Sequence, residues 1–252
     1  GAMLTAGGMG QIDRSATALQ LIPMAFQRWE EVDHVRETMR PRLEAVFNQK
    51  GYRILFWGDA GWVRWFTKRP IQRPGELKGM KIFAVAGDQE SIEIVKSYYD
   101  PVPLEADKIF TGLSTGLIEG VAMPPFLANF TQVATVAKHM LDLRYVPVTG
   151  AMVVTQRAWN RIPADLQGKL AELAETTGVE VRRNSRGEDL AAIEAMQQKQ
   201  SLKVTPVTPE IEAEWRSTME QAYPKLRGKI VPAPLFDEVQ SLLKAFRARG
   251  GG

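Results

Sequence analysis

The chain has 252 residues, of which 44% are hydrophobic and 24% charged, and its formal net charge is +3. This composition predicts a folded protein of one large domain or two lobes, and so small a charge does not favour nucleic acid or an anionic membrane as partner. The absence of cysteine excludes disulfides, thiolate metal sites and a cysteine nucleophile.

The amino-terminal part begins with a short apolar stretch that ends in Gly7-Gly8-Met9-Gly10. A glycine cluster after a strand indicates a tight turn or a close approach of the backbone to another group, so Gly8 is a candidate for lining a ligand cleft. The spacing does not match a dinucleotide or phosphate loop. Residues 29–49 follow with apolar side chains every three or four positions, which predicts an amphipathic helix that Pro41 could kink.

From residue 52 the sequence alternates between strand and helix patterns. One stretch, 165–200, consists almost entirely of helix formers and predicts a helix too long for a single small lobe. The predicted strands are 52–57, 80–85, 118–122, 148–155 and 202–207, with a short one at Leu104. The other predicted helices are 88–98, 126–140, 209–223 and 235–247. The pattern indicates an α/β protein of two lobes joined by extended crossings.

The sequence offers little raw material for catalysis. His34 and His139 are the only histidines, and both fall in predicted helices among charged residues, outside any catalytic or metal-binding motif. Carboxylate pairs such as Glu172 and Glu175 have the spacing of solvated helix charges. We therefore expect neither an enzyme nor a bound metal or cofactor.

Three segments carry a resemblance to a known family. Residues 68–82 contain Lys-Arg-Pro-Ile and then Glu-Leu-Lys-Gly-Met-Lys-Ile, which resembles the family pattern krPI..p.DLKGlKiR. Pro101-Val-Pro-Leu with residues 111–120 is similar to PvpL...tALqtGvvDG, and residues 159–166 to w..lP.dlq. On these motifs the sequence resembles the solute-binding proteins of TRAP transporters, of the DctP type.

The resemblance implies a two-lobe clamshell with strands crossing between the lobes and one long helix that spans both. It also implies a periplasmic receptor that closes over a small solute and delivers it to a membrane permease driven by an ion gradient. On this mapping lobe I is 1–60 and 149–188, and lobe II is 61–148 and 189–252. Roughly sixty to seventy family residues before Leu4 have no counterpart, so lobe I is expected to be incomplete and to self-associate by strand or helix exchange.

Two departures from the family concern the ligand. The family's carboxylate-binding arginine falls on Phe83, and its polar Gln-Glu-Asn falls on 121–123, which ends in Met123. Losing a charge-assisted clamp predicts an apolar or amphipathic solute instead of a small dicarboxylate. The apolar candidates for contacting it are Trp57, Trp62, Phe83, Met123 and Phe126. Each of them could equally be an ordinary core residue.

Two polar candidates complete the predicted site. Arg64 lies one position from a basic contact of some relatives and could anchor a single polar head group, or it could be a solvated loop arginine. Tyr145 maps to a cleft-facing position and could donate a hydrogen bond, or it could cap the surface. The alternative function is an interaction or scaffold protein that keeps the fold without binding solute.

Overall fold

A computed structural model describes residues 1–250 as an α/β protein. Its elements fall into two compact units, which we call unit 1 (Gly1–Ala60, Val146–Gly187 and Ile230–Gly252) and unit 2 (Gly61–Tyr145 and Glu188–Lys229). The strands are β1 (Ala2–Thr5), β2 (Tyr52–Trp62), β3 (Arg64–Thr67), β4 (Lys81–Val85), β5 (Asp100–Leu104), β6 (Gly120–Met123), β7 (His139–Leu141), β8 (Pro147–Thr155) and β9 (Lys203–Thr205).

The helices include the predicted long one, which runs unbroken as α7 and confirms that prediction. Pro41 lies inside α2 and does not interrupt it. The α-helices are α1 (Ala6–Met9), α2 (Trp29–Gln49), α3 (Gln89–Val95), α4 (Ile109–Thr115), α5 (Pro125–Phe130), α6 (Gln156–Trp159), α7 (Ala164–Lys199), α8 (Pro209–Glu220), α9 (Tyr223–Leu226) and α10 (Ala233–Ala248). Among residues 1–250, no helix is long and apolar enough to cross a membrane.

Unit 1 contains a three-stranded sheet in the order β1-β8-β2. Strand β1 pairs antiparallel with β8, from Ala2 opposite Val153 to Thr5 opposite Gly150. The buried side chains of α2 recur at three- and four-residue steps and form one apolar face, to which α10 adds its own. Because α10 packs on α2, the carboxyl-terminal segment belongs to unit 1.

The carboxyl-terminal segment is where the predicted lobe boundaries fail. The sequence mapping assigned 189–252 to lobe II, but residues 230–252 belong to unit 1. The reason is specific bonding as well as apolar contact: the Thr17 hydroxyl donates to the Ile230 carbonyl at 3.2 Å, and Arg247 Nε donates to Glu31 Oε1 at 2.8 Å.

Unit 2 contains a six-stranded mixed sheet in the order β5-β4-β6-β3-β7-β9. Strand β4 lies between β5 and β6, as predicted for residues 80–85. One face of the sheet packs Phe66 and Val121 against α4 and the Met196 end of α7. On the other face Trp65 contacts Trp215 of α8, with ring centroids 5.9 Å apart. Helices therefore cover both faces, as expected for this unit.

The predicted helix over 126–140 is wrong. Helix α5 ends at Phe130, Gln132 takes a left-handed conformation with φ of 59°, and a 3-10 turn over Val133–Thr135 leads into strand β7. The β-branched residues that follow lower helix propensity, and β7 gains ladder bonds to β3 and β9. His139 accordingly lies on a strand and not on a helix.

Candidate ligand-binding site

The carboxyl edge of the unit 2 sheet gathers several of the predicted site residues. Strands β4 and β5 are parallel to each other, β4 is also parallel to β6, and β6 pairs antiparallel with β3, so that Arg64 lies opposite Met123. Register partners project to the same face, which puts these two side chains side by side. Ligands of open α/β sheets bind outside the carboxyl ends of the parallel strands.

Arg64 is the most unusual residue at this edge. It is only 7% exposed, and its Nε donates to Asp142 Oδ1 at 2.9 Å. Its Nη1 is buried without any hydrogen-bond partner. Burial lowers the pKa of the guanidinium, although Asp142 and, more weakly, Asp189 oppose that change. A buried cationic donor left without an acceptor is costly, so the site suits an added anion or acceptor.

Asp189 is a charged neighbour that the sequence analysis did not identify. It lies on α7 within unit 2, and its Oδ2 accepts the Trp62 backbone N–H at 2.9 Å. Its Oδ1 is buried and makes no well-formed hydrogen bond. Burial raises the pKa of this carboxyl, against the lowering effects of the Trp62 N–H, the charge of Arg64 and the Phe126 N–H. Nothing in the surrounding stretch of helix-forming residues distinguishes this buried acid from the exposed charges beside it.

Phe83 and Met123 lie in one apolar layer. Met123 belongs to the buried cluster of unit 2, and Phe83, partly buried, packs against that cluster. Ile82 pairs with Gly120, and continuing this parallel register places Val85 level with Met123. Phe83, two residues before Val85, projects to the same face of the sheet but lies further from the carboxyl edge. Val85 is 60% exposed. The residue nearest the edge on β4 is thus Val85, which the sequence analysis missed.

Phe126 lies in the first turn of α5, shortly after this edge in the sequence, and is partly exposed. It lines an open pocket of about 360 Å³ between α5 and α7 within unit 2. Phe130, 81% exposed, lies on the same wall, opposite Ala191 and Ala192. This part of the predicted site is apolar and accessible.

Trp62 and Tyr145 are held by contacts inside unit 2. The Trp62 side chain is buried, and the Arg144 guanidinium lies 5.9 Å from its ring centroid. The Tyr145 hydroxyl donates to Met219 Sδ at 3.3 Å, and its ring meets Trp65 edge-on at 5.2 Å. Burial raises the pKa of the Tyr145 phenol. These contacts give Tyr145 a packing role on the second face of the sheet.

Gly8 and Trp57 belong to unit 1. Gly8 is inside the short helix α1, where its N–H donates to the Thr5 hydroxyl at 3.3 Å. Trp57 is buried, and its Nε1 donates to Glu44 Oε1 at 3.1 Å. Near the ends of β1, β2 and β8, unit 1 has a small pocket of about 90 Å³ that includes Thr149.

Unit 1 has its own group of paired charges, which we call the ionic network: the buried Arg36 and Asp59 and the partly exposed Asp33 and Arg186. Arg36 donates to Asp59 at 3.1 Å and also to Asp33. Arg186 donates to Asp59 Oδ2 and to both oxygens of Asp33 at 2.6–2.9 Å. The pKa of Asp33 is lowered, because the two arginines outweigh the effect of burial. Every charge in this network has a partner of opposite sign.

Neither unit shows a metal centre. Within residues 1–250, no cluster of three or more histidine, aspartate or glutamate side chains is arranged to hold a metal ion.

Known proteins resemble this chain over most of its length. The profile of bacterial extracellular solute-binding proteins of family 7, DctP, matches residues 2–229. The C4-dicarboxylate-binding periplasmic protein DctP of Rhodobacter capsulatus is 21% identical over 211 residues, covering 83% of this chain and 63% of that protein. A solute-binding protein of Verminephrobacter eiseniae is 23% identical over 47% of this chain and 36% of its own length. The chain thus spans less than two thirds of these relatives.

Solved structures agree in fold. A TRAP periplasmic solute-binding protein of Ralstonia eutropha H16 with bound (S)-2-acetolactate aligns with a TM-score of 0.86 and 19% identity, covering 97% of this chain and 79% of that one. One from Shewanella oneidensis with bound succinate aligns with a TM-score of 0.85 and 15% identity, covering 96% and 79%. At such identities the agreement concerns the fold alone, and it supports the α/β class predicted from the sequence.

Proposed function

Because the chain belongs to the DctP family of bacterial extracellular solute-binding proteins, we propose that it is a receptor for an amphipathic organic acid. The solute has one carboxylate and an apolar body. It binds at the carboxyl edge of the unit 2 sheet, with Arg64 as the anchor of the carboxylate. Binding, rather than chemical conversion, is the activity.

The observation that carries the proposal is the unpaired Nη1 of Arg64. Nε of the same guanidinium is fixed by Asp142, so the side chain is oriented before a ligand arrives. A carboxylate at Nη1 would gain a charge-assisted hydrogen bond of about 1.5–3 kcal/mol and would offset the burial of the cation. The relatives support an acid, since one holds acetolactate and another succinate.

The apolar part of the solute is argued from the neighbours of Arg64. Met123 lies beside it across the β3–β6 pair, and Val85 and Phe126 expose further apolar surface in the same unit. Phe83, at the position of the family's carboxylate-binding arginine, packs against the same layer. With a single free cationic donor, the edge favours one carboxylate over the two of a dicarboxylate.

The family membership also leads us to propose a location and a partner. A receptor of this kind works in the periplasm and passes its solute to the permease subunits of a TRAP transporter. A pull-down tests this step: membranes that contain the cognate permease are incubated with the immobilised protein, and the bound proteins are identified. Retention of the permease only when the solute is present supports it.

A thermal-unfolding screen tests the receptor proposal. The probes are straight-chain and aromatic monocarboxylates of increasing apolar size, with the matching amides and dicarboxylates as controls. A ligand at 100 times its Kd stabilises the folded state by about 2.7 kcal/mol, which is readily seen as a rise in Tm. We expect monocarboxylates to raise Tm and the amides to have no effect.

Two variants decide whether Arg64 is the anchor. Arg64→Gln should abolish the rise in Tm, whereas Arg73→Gln, which removes an exposed arginine of the same unit, should preserve it. A response that survives Arg64→Gln contradicts the proposed anchor. No response to any acid, together with a properly folded protein, favours the scaffold alternative.

A second proposal, self-association through unit 1, is supported by an exposed apolar surface. Leu166, Leu170 and Leu173 form an exposed stripe on α7 at helical spacing. The last two line an apolar groove of about 290 Å³ that also includes Trp159 and Leu55. Apolar surface of this kind marks interaction sites in soluble proteins.

Sedimentation of the protein over a range of concentrations tests self-association. We expect a dimer that Leu170→Gln with Leu173→Gln converts to monomer. The matched control is Leu190→Gln, which changes an exposed leucine of the same helix in unit 2. A wild-type protein that is monomeric at high concentration contradicts the proposal.

A further inference from the structure

An open pocket of about 500 Å³ lies between α2 and α7 within unit 1. Four guanidinium groups line it: those of Arg36, Arg182, Arg183 and Arg186. Two acids, Asp33 and Glu37, lie on the same wall. The pocket is thus a concave surface in which arginines outnumber carboxylates.

The arginines of this pocket are of two kinds. Arg36 and Arg186 belong to the ionic network and are neutralised there by Asp33 and Asp59. Arg182 instead donates from Nη1 to the Trp57 carbonyl at 2.7 Å. Arg183 is exposed. Among residues 1–250, neither Arg182 nor Arg183 forms a direct ion pair with a carboxylate.

The acids on the wall are already occupied. Asp33 accepts hydrogen bonds from Arg36 and Arg186, and Glu37 accepts from Arg36 at 3.2 Å and from Arg40 at 3.4 Å. They cannot neutralise Arg182 and Arg183 without giving up these bonds. Burial, followed by the nearby charge of Arg36, lowers the pKa of Arg182, although the charges of Asp59, Glu37 and Asp33 oppose this change. The local balance therefore favours a bound anion.

We infer that this pocket is a binding site for a compact multivalent oxyanion, with phosphate as its chemical type. Arg182 is held in place by the Trp57 carbonyl and Arg183 is free to close over the anion, so the two guanidiniums supply a fixed and a mobile set of donors. Planar guanidinium forks match the oxygens of phosphate in pairs. The site lies wholly in unit 1 and does not include the proposed solute anchor.

Isothermal titration with inorganic phosphate tests the inference, with acetate at equal ionic strength as the monovalent control. We expect saturable phosphate binding with one site per chain and none with acetate. Arg183→Gln should weaken phosphate binding at least about ten-fold, because it removes a charge-assisted contact. Arg183→Gln with Arg182→Gln should abolish it.

The matched control is Arg161→Gln, which removes the same charge from an exposed position in unit 1. Phosphate binding that Arg161→Gln weakens as much as Arg183→Gln does indicates a general charge effect and overturns the site. Absence of saturable binding to the wild-type protein overturns it as well. Because Arg183 is exposed and unpaired, we expect Arg183→Gln to fold. A loss of phosphate binding in this variant can then be assigned to the missing guanidinium.

The test also separates this site from the receptor function. Arg64→Gln should leave phosphate binding unchanged, and Arg183→Gln should leave the response to monocarboxylates unchanged. Phosphate binding lost in Arg64→Gln would place the phosphate in the solute site and contradict the inference. A phosphate monoester such as glycerol phosphate, titrated in parallel, distinguishes a free ion from an esterified one as the preferred occupant.

Discussion

The two units bury charged side chains in opposite ways. In unit 1 Asp59 has no exposed side-chain surface, yet both of its oxygens accept hydrogen bonds, from Arg36 and from Arg186. In unit 2 Arg64 and Asp189 are buried, and each keeps one atom without a partner. A network in which every polar atom has a hydrogen-bond partner holds the chain in one arrangement. Buried charged atoms that lack a hydrogen-bond partner are instead suited to binding a ligand. The contrast separates a structural use of charge from a binding use.

The largest effect should come from breaking the satisfied network. Asp59→Ala leaves Arg36 buried beside a cavity, and we expect the free energy of unfolding to fall by about 3–5 kcal/mol. Urea denaturation followed by circular dichroism measures it. Arg64→Gln is the counterpart in unit 2. It removes a buried cation that has a hydrogen bond at Nε but none at Nη1, and it should change the free energy of unfolding by about 1 kcal/mol or less. Equal losses would remove the distinction between the two groups.

The next effect concerns the apolar layer beside Arg64. Phe83→Arg adds a second cation to a layer that contains Met123, and an unpaired charge there costs several kcal/mol. Binding of the apolar acid found by screening should weaken by about a hundredfold or more. Titration of that acid, after circular dichroism has shown that the variant folds, measures the change.

Phe83→Leu is the control for this variant. It keeps the layer apolar and should weaken binding by about 1–2 kcal/mol, or roughly tenfold. An arginine variant that folds and binds as tightly as the parent shows that Phe83 does not influence the site.

A smaller effect tests how tightly Asp189 is enclosed. Gly61 has φ of 87°, and a Cβ there would overlap the Asp189 carboxylate. Gly61→Ala should therefore cost about 2 kcal/mol or more in unfolding free energy, of which the left-handed backbone accounts for about 1–2 kcal/mol. Gly79→Ala is matched to it, because Gly79 also has positive φ but open space around it. If the two variants lose the same stability, Asp189 is not held against Gly61.

The smallest effect is a difference in the sign of pH dependence. In unit 1 the pKa of Glu31 is lowered. Burial on its own raises this pKa, but the hydrogen bonds from Arg247 and Gln27 and the nearby positive charge together lower it by more than burial raises it. Its stabilising contribution is therefore present above its ordinary pKa of 4.5 and is lost as the pH falls through the folded-state value. The stability difference between wild type and Glu31→Gln should shrink as the pH is lowered below that range.

Asp189 should behave in the opposite sense. Its folded-state pKa is raised by burial, so the folded state loses stability as the pH rises above the ordinary value of 3.8. Asp189→Asn should match wild type at low pH and exceed it in stability as the pH rises through the folded-state pKa. Denaturation curves at several pH values between 3 and 7 measure both trends. A common sign for the two residues would contradict these opposite pKa shifts.

Sequence patterns anticipated most of the fold because its signals are local. Unbroken helix formers predicted α7, and β-branched and apolar runs predicted β2, β4, β6, β8 and β9, whereas β3 and β7 were not predicted. The failure at 126–140 has the opposite cause, since ladder bonds of β7 to two neighbouring strands are non-local and no window of sequence contains them. The same limitation hid the contact of α10 with α2.

The candidate site was less predictable. Arg64 could be a solvated loop residue as far as the sequence shows, and it is the pairing of β3 with β6 that places it on a buried strand. Asp189 lies in a helix rich in exposed charges, and its burial depends on an approach to Gly61 and Trp62 from a distant part of the chain. Val85 was passed over because Phe83 occupies the family's arginine position, while the pleat puts Val85 nearer the edge.

The return of α10 to unit 1 has a consequence for the order in which the chain acquires structure. A ribosome releases all of unit 2, through Lys229, before it releases the last segment of unit 1. The contacts of Thr17 with Ile230 and of Glu31 with Arg247 close loops of 213 and 216 residues. The apolar face of α2 thus stays uncovered while the rest of the protein is made, and contacts of such high sequence separation form slowly. The apolar face of α2 is therefore protected from aggregation and proteolysis only after the last segment of unit 1 has been made.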